Sequence, residues 1–217
     1  MRGTGWRGAA CIEFAFISLA LVPLLLGTGA AGINMILTLQ TIQLAKDAGH
    51  MFARGVDFSV AGNQTILANV GSTLGLSTTA SSSNAVVILT ALTYVDNAAC
   101  VAGGAATGGT ANSNCKNLNH WVFAQRLVIG KSSIHTSQVG TPTGVTIASN
   151  GKILVTDYVT NTGAQATFSS INPYADVNGT VSGLPSGQML YVAEAAATAF
   201  SMPPFIGPSA TYSYGLF

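Results

Sequence analysis

One carboxylate poses the chemical question in this chain. Glu13 is the only acid among the first 46 residues, and no residue from Phe14 to Ala45 is charged. An acid at the lip of so apolar a run is costly in a bilayer unless it is paired, so it marks a functional position. The other groups capable of chemistry are dispersed. His50, His120 and His135 have no histidine one helical turn away and no cysteine at metal-ligand spacing. His120, beside Trp121, reads as a strand-edge residue. Gly103-Gly104 and Gly108-Gly109 lack the Gly-Lys-Ser/Thr ending of a phosphate loop and read as a flexible surface loop. Asp176-Val177-Asn178-Gly179 has no glutamate at the calcium-loop offset and reads as a turn. Asp157 and Glu194 each stand alone in a strand pattern. Glu194, between Ala193 and Ala195, is expected to form a buried salt bridge with Arg126 or Arg54, or an interface contact. No nucleophile–base pair assembles, and no metal, cofactor or enzymatic activity is expected.

Two cysteines, Cys100 and Cys115, bracket a loop with no hydrophobic anchor of its own. A disulfide there would restrict the unfolded chain, by up to ~3 kcal/mol for a loop of about 15 residues, and would imply an oxidising compartment. The alternative is two unpaired thiols flanking a flexible loop. Cys11 is expected to be a small buried hydrophobe.

The element that must position Glu13 is a helix. Residues 14–39 are long and apolar enough to span a bilayer, which needs about 20 such residues. Arg2 and Arg7 precede the run, while Lys46 and Asp47 nearly cancel after it, so the N-terminus is expected to be cytoplasmic. The run exceeds a secretory hydrophobic region, and helical periodicity continues through Leu44, Ala45, Ala48 and Phe52. One helix over 9–54 is expected, about 70 Å long at ~1.5 Å per residue. Pro23 should kink or locally unwind it, and Gly27, Gly29 and Gly32 offer close helix approach.

The remainder, residues 55–217, is large enough for one domain with its own core. Charged residues are only 7% of the chain, against ~25% in ordinary soluble proteins, so the surface must be neutral and polar. The formal net charge of +1 gives nothing to attract nucleic acid. A short helix is expected over 62–74 and a linker over 77–85. Strands are expected over 86–95, 121–129, 153–160, 189–200 and 210–217, separated by clusters rich in Gly, Pro and Asn. The fold class is α+β, a long N-terminal transmembrane helix packed on a C-terminal antiparallel β-sheet domain.

The opening RGAACIEF at 7–14 resembles a type IV prepilin. The resemblance implies a leader, residues 1–8, cut after Gly8 by a prepilin peptidase. Ala9 then becomes residue one and Glu13 residue five. The freed Ala9 amine could be neutralised by Glu13 of its own chain or of a neighbour, since pairing removes most of the cost of burying either charge. Together with QTIQLAKDAGHMFARGVDFS at 40–59 and MLYVAEAAATAFSMPPFIG at 189–207, the chain resembles the TadE-like proteins, minor pseudopilins of tight adherence pilus systems. It departs from that pattern at Cys11, at Phe14, where major pilins often have tyrosine, and at Asn34, which replaces an acid.

That resemblance implies a pilin-like fold and a structural subunit of a bacterial pilus that serves adhesion. Its partners would be the peptidase, other pilins or pseudopilins through the helix, and an inner-membrane assembly platform. It would be a single-pass inner-membrane protein with its domain in the periplasm, extracellular once assembled. The competing readings are an uncleaved membrane-anchored periplasmic binding protein and a secreted enzyme with a signal peptide.

Overall fold

The computed structural model describes residues 5–168, 187–203 and 206–217, with side chains from Cys11 onward. Helix α1 runs from Gly5 to Ala53 and α2 from Ala61 to Val70. Strand β1 (Ala85–Tyr94) leads to α3 (Asn97–Ala102), a small hairpin of β2 (Ala106–Thr107) and β3 (Thr110–Ala111), and β4 (Trp121–Gly130). Helix α4 (Val155–Thr160), β5 (Met189–Thr198) and β6 (Ala210–Leu216) complete the order. The large strands form one antiparallel sheet, β4-β1-β5-β6. A long apolar helix on a four-stranded antiparallel sheet is an α+β, pilin-like architecture.

Strand alternation builds the core. Ala85, Val87, Leu89 and Ala91 of β1 share a face with Leu127 and Ile129 of β4 and with Ala193, Ala195 and Ala197 of β5. Against this face lie Leu44, Ala45, Ala48 and Phe52 of α1, spaced at helical period. The alanines of β5 keep the floor low, so the helix can approach closely. Buried Thr41 joins Thr211 of β6, hydroxyl to hydroxyl, at 2.8 Å. At one end of the contact, Asn34 donates to the carbonyl of Phe200 (3.2 Å) and accepts from its N–H (2.8 Å). At the other end, the Phe217 ring meets His50 edge-on at 4.7 Å. The helix therefore runs alongside β6 in the same direction.

Helix α1 ends in a Schellman turn. Gly55 takes φ +86°, Gly55 N–H bonds to the Phe52 carbonyl, and Val56 N–H reaches the Met51 carbonyl at 3.0 Å. The helix assignment continues through Pro23, so the helix is not unwound there. The expectation for Cys11 is corrected: it is exposed on the helix surface rather than buried within the chain.

The expected strand over 153–160 is instead helix α4. Its β-branched residues read as strand, but a short apolar run cannot distinguish the two by pattern alone. Thr160 Oγ1 bonds back to the Thr156 carbonyl (2.7 Å), and Val159 is buried against the disulfide region. Ile153 and Leu154 stay extended, with Ile153 bridged to Ile147. The disulfide Cys100–Cys115 is formed, with its Cα atoms 5.7 Å apart.

The enclosed segment is ordered rather than a loop without anchor. Asp96 caps α3 by accepting from Ala99 N–H (2.8 Å), and Ala105 is buried with both cysteines, Val95, Val122 and Val159. Buried Asn117 ties this unit to α4, donating to the carbonyls of Tyr158 (2.8 Å) and Asn161 (2.7 Å). The turn expected at Asp176–Gly179 lies outside the described residues.

Gly49 tests the helix–sheet contact. A Cβ there would lie 2.0 Å from the Phe217 ring. Gly49→Ala should lower stability by about 1–3 kcal/mol, the usual cost of overpacking, in urea unfolding of the detergent-solubilised chain. In a Phe217→Ala background the same change should be neutral, or stabilising by up to ~1 kcal/mol through helix propensity. A cost undiminished in that background would show that the ring does not set the requirement.

Candidate functional site

The first candidate is the helix surface around Glu13. Among the described residues nothing packs on the N-terminal half of α1 except near Ala30. Ile12, Phe14, Phe16 and Ile17 are all at least 60% exposed, and Glu13 stands among them, also exposed. An apolar surface of this kind requires a cover, from lipid or from other helices. Two hydroxyls on it are satisfied by the helix itself: Ser18 Oγ donates to the Phe14 carbonyl (2.7 Å) and Thr28 Oγ1 to the Leu25 carbonyl (3.0 Å). That is the arrangement a helix needs where water is absent. Among the described residues α1 is the one helix long and apolar enough to span a membrane or act as a signal. Gly27, Gly29 and Gly32 have open space where a Cβ would stand, so packing among the described residues does not demand glycine there.

The exposed apolar surface does not stop where the domain begins. Ile33, Met35, Ile36 and Leu39 remain 44–69% exposed while Leu37 and Thr41, on the other side of the helix, meet the sheet. From Cys11 to Leu39 the surface is about 43 Å long at ~1.5 Å per residue. A hydrocarbon core of ~30 Å leaves its last turns uncovered. After Glu13, charged residues return only beyond it, at Lys46 and Asp47. Gly8 and Ala9 lie on the same helix, which is continuous across them.

The second candidate is the cluster around Glu194, on the sheet face away from α1. Glu194 is 1% exposed. It accepts from Ser137 Oγ, from Gln138 N–H at 2.8 Å and from the Tyr212 hydroxyl at 3.0 Å. His135 Nε2 stands 3.6 Å from its Oε1, and the His135 ring stacks on Tyr212 at 4.0 Å. The expected direct salt bridge is not formed with either arginine. Arg126 donates to Ser137 Oγ (3.2 Å), Thr90 Oγ1 (3.3 Å) and the Gly140 carbonyl (2.9 Å), so it reaches Glu194 through Ser137. Arg54 is at the exposed end of α1, beyond the other face of the sheet. Register explains the partners: Thr90 lies opposite both Arg126 and Val192, and Glu194 lies opposite Ile88 and Tyr214.

Burial lowers the pKa of Arg126, and the field of Glu194 acts in the opposite direction. Tyr212 is pushed far above the ordinary phenol range, first by burial and then by the charge and hydrogen bond of Glu194. A serine, a histidine and a glutamate in one cluster invite comparison with a nucleophilic triad. Here Ser137 gives its proton to Glu194 and accepts from Arg126 and from Val139 N–H (3.3 Å). A hydroxyl so occupied has no lone pair free for attack. The cluster clamps the 131–140 segment over the sheet. Its glutamate is visible in the sequence; Ser137 and Tyr212, far apart in the chain, are not. His120 bonds locally, Nδ1 to the Leu118 carbonyl at 2.9 Å.

No protein-family profile, curated protein or solved structure matches this chain.

The clamp makes a pH prediction. A phenol whose pKa is raised on folding contributes stability that is complete below its unfolded value, ~10, and is lost as the pH climbs beyond it. Unfolding free energy should therefore fall above about pH 10. Tyr212→Phe should cost about 1–3 kcal/mol at neutral pH and flatten that alkaline decline. An equally steep decline in the variant would exclude Tyr212 as its source.

Proposed function

We propose that this chain is a pseudopilin of a tight adherence type pilus, a structural subunit that assembles through α1. The observation that supports this most strongly is the uncovered apolar surface from Cys11 to Leu39, longer than a bilayer core and borne by a helix whose other side is fixed to a folded domain. A simple anchor needs only the bilayer length. The extra turns are suited to neighbouring helices, which would cover them when subunits stack.

In this reading a prepilin peptidase cuts after Gly8 on the cytoplasmic side. The processed helix waits in the inner membrane with its domain in the periplasm. The assembly platform then draws it into a stack with other pilins or pseudopilins. Glu13 meets the Ala9 amine of the adjoining subunit, so one carboxylate both removes the burial cost of that amine and sets the axial register. The disulfide-bonded unit suits an oxidising compartment. The protein would contribute shape and contacts, with motive force supplied by separate machinery.

Glu13→Ala should leave the protein synthesised, processed and membrane-bound, while reducing its recovery in sheared filaments at least tenfold. Glu13→Asp should restore part of that recovery, because the charge persists on a shorter arm. Wild-type recovery of Glu13→Ala in filaments would remove the role assigned to the carboxylate.

A further inference from the structure

A cavity lies at the end of α1 remote from the apolar half. Its volume is about 600 Å³, within the range of small-molecule sites. Separate segments converge on it: the Schellman turn after α1, the middle of β4, the 150–153 turn, α4 and the start of β5. Strand β4 carries a bulge there. Ala91 pairs with Gln125 and Leu92 with Phe123, leaving Ala124 as the extra residue. The bulge opens the edge of β4 to the 150–153 turn, whose Ile153 N–H bonds to the Ala124 carbonyl (2.9 Å). Gln125 Nε2 fixes the same turn through the Asn150 carbonyl at 2.8 Å. The rim is thus held by backbone and side-chain bonds without a ligand.

The walls are mainly apolar, with Phe52, Ile153 and the rings of Tyr158 and Tyr191 among them. Phe52 and Tyr191 pack edge to face at 5.2 Å, which holds the Tyr191 ring in place. Two opposite charges, Asp57 and Lys152, share the cavity lining. Asp57 Oδ1 takes both bonds from Ser59, the N–H at 2.8 Å and the hydroxyl at 2.7 Å, and leaves Oδ2 uncommitted among the described residues. Those two bonds hold the Asp57 carboxyl below its usual range, and Lys152 adds to the effect through space. No ion pair closes between them, and the Lys152 ammonium has no acceptor among the described residues.

We propose that this cavity binds a short zwitterionic peptide bearing a large apolar side chain. The side chain would fill the aromatic floor, the terminal ammonium would meet Asp57 and the terminal carboxylate Lys152. The two lining charges cancel, which disfavours polyanions such as nucleotides. The apolar wall needs a hydrophobic body rather than a purely hydroxylated one. A two- or three-residue peptide spans about 7–10 Å extended, a length that a cavity of this volume can hold. The inference is independent of pilus assembly.

The test uses the full chain in lipid nanodiscs, titrated calorimetrically with the dipeptide Leu-Phe, its acetylated and amidated form, and maltose. Saturable binding of the free dipeptide is expected, weakened about tenfold or more by capping, as loss of charge-assisted bonds predicts. Asp57→Asn retains an acceptor for the Ser59 turn, and Lys152→Met retains the stem. Each should weaken the free dipeptide about tenfold and leave the capped one unchanged. Tyr191→Ala should weaken both forms. Unfolding curves confirm that each variant remains folded. No saturable binding of Leu-Phe to the wild type at millimolar concentration overturns the proposal. So does binding indifferent to capping and to both charge changes, or binding of maltose in preference to the dipeptide.

Discussion

The structure depends on one half of one helix being buried while the other half is not. Leu44, Ala45, Ala48 and Phe52 are held against a sheet floored by alanines, and Asn34 pins the first turn of that contact by both polar atoms of its amide. Burying such side chains contributes roughly 1.5–3 kcal/mol for each large one, so the docked half is secured by packing. The same helix then presents Ile12, Phe14, Phe16 and Ile17 to its surroundings, and nothing among the described residues covers them. The four-stranded sheet is occupied by residues 37–52, and among the described residues no other sheet packs on residues 11–33. The uncovered half must find its cover outside the domain.

The rest of the molecule follows from keeping that sheet intact. Its far face carries a buried carboxylate, and a lone buried charge would destabilise the strand that bears it. Ser137, Gln138 and Tyr212 provide the hydrogen bonds, and Arg126 stands behind Ser137 as countercharge. That network fastens the 131–140 segment across the sheet. At the end of the sheet remote from the apolar half, the disulfide unit and α4 are drawn together by Asn117, a fully buried amide whose bonds span three segments. The weakly charged surface is consistent with this economy, since most polar groups inside the domain are neutral amides and hydroxyls.

Much of this was legible from residue pattern. The long helix, four of the expected strands and the Cys100–Cys115 pair follow from apolar run length, two-residue alternation and the spacing of two thiols. Residues 153–160 misled because Val155, Val159 and Thr160 suit a strand, whereas the contacts that make them helical come from Asn117 and the disulfide unit, distant in sequence. Glu194 was legible as a buried acid, but its partners were not. Ser137 and Tyr212 are ordinary surface-type residues until the sheet register and the crossing segment bring them to one carboxylate. The cavity beside Asp57 and Lys152 was equally invisible, because a β-bulge at Ala124 and a turn at 150–153 define it and neither has a distinctive sequence signature. Glu13 is the converse case: its isolation in the sequence says more than its surroundings in the monomer, because the partner proposed for it belongs to another subunit.

The central claim is that α1 is a processed assembly helix, and the N-terminus of the native protein tests it most directly. The measurement is intact mass together with N-terminal sequencing, on protein taken separately from the membrane and from sheared filaments. The account predicts a chain beginning at Ala9 in both fractions. A chain beginning at Met1 and confined to the membrane would contradict it and identify an uncleaved anchor, and a chain beginning near Ala30 would make the helix a secretory signal.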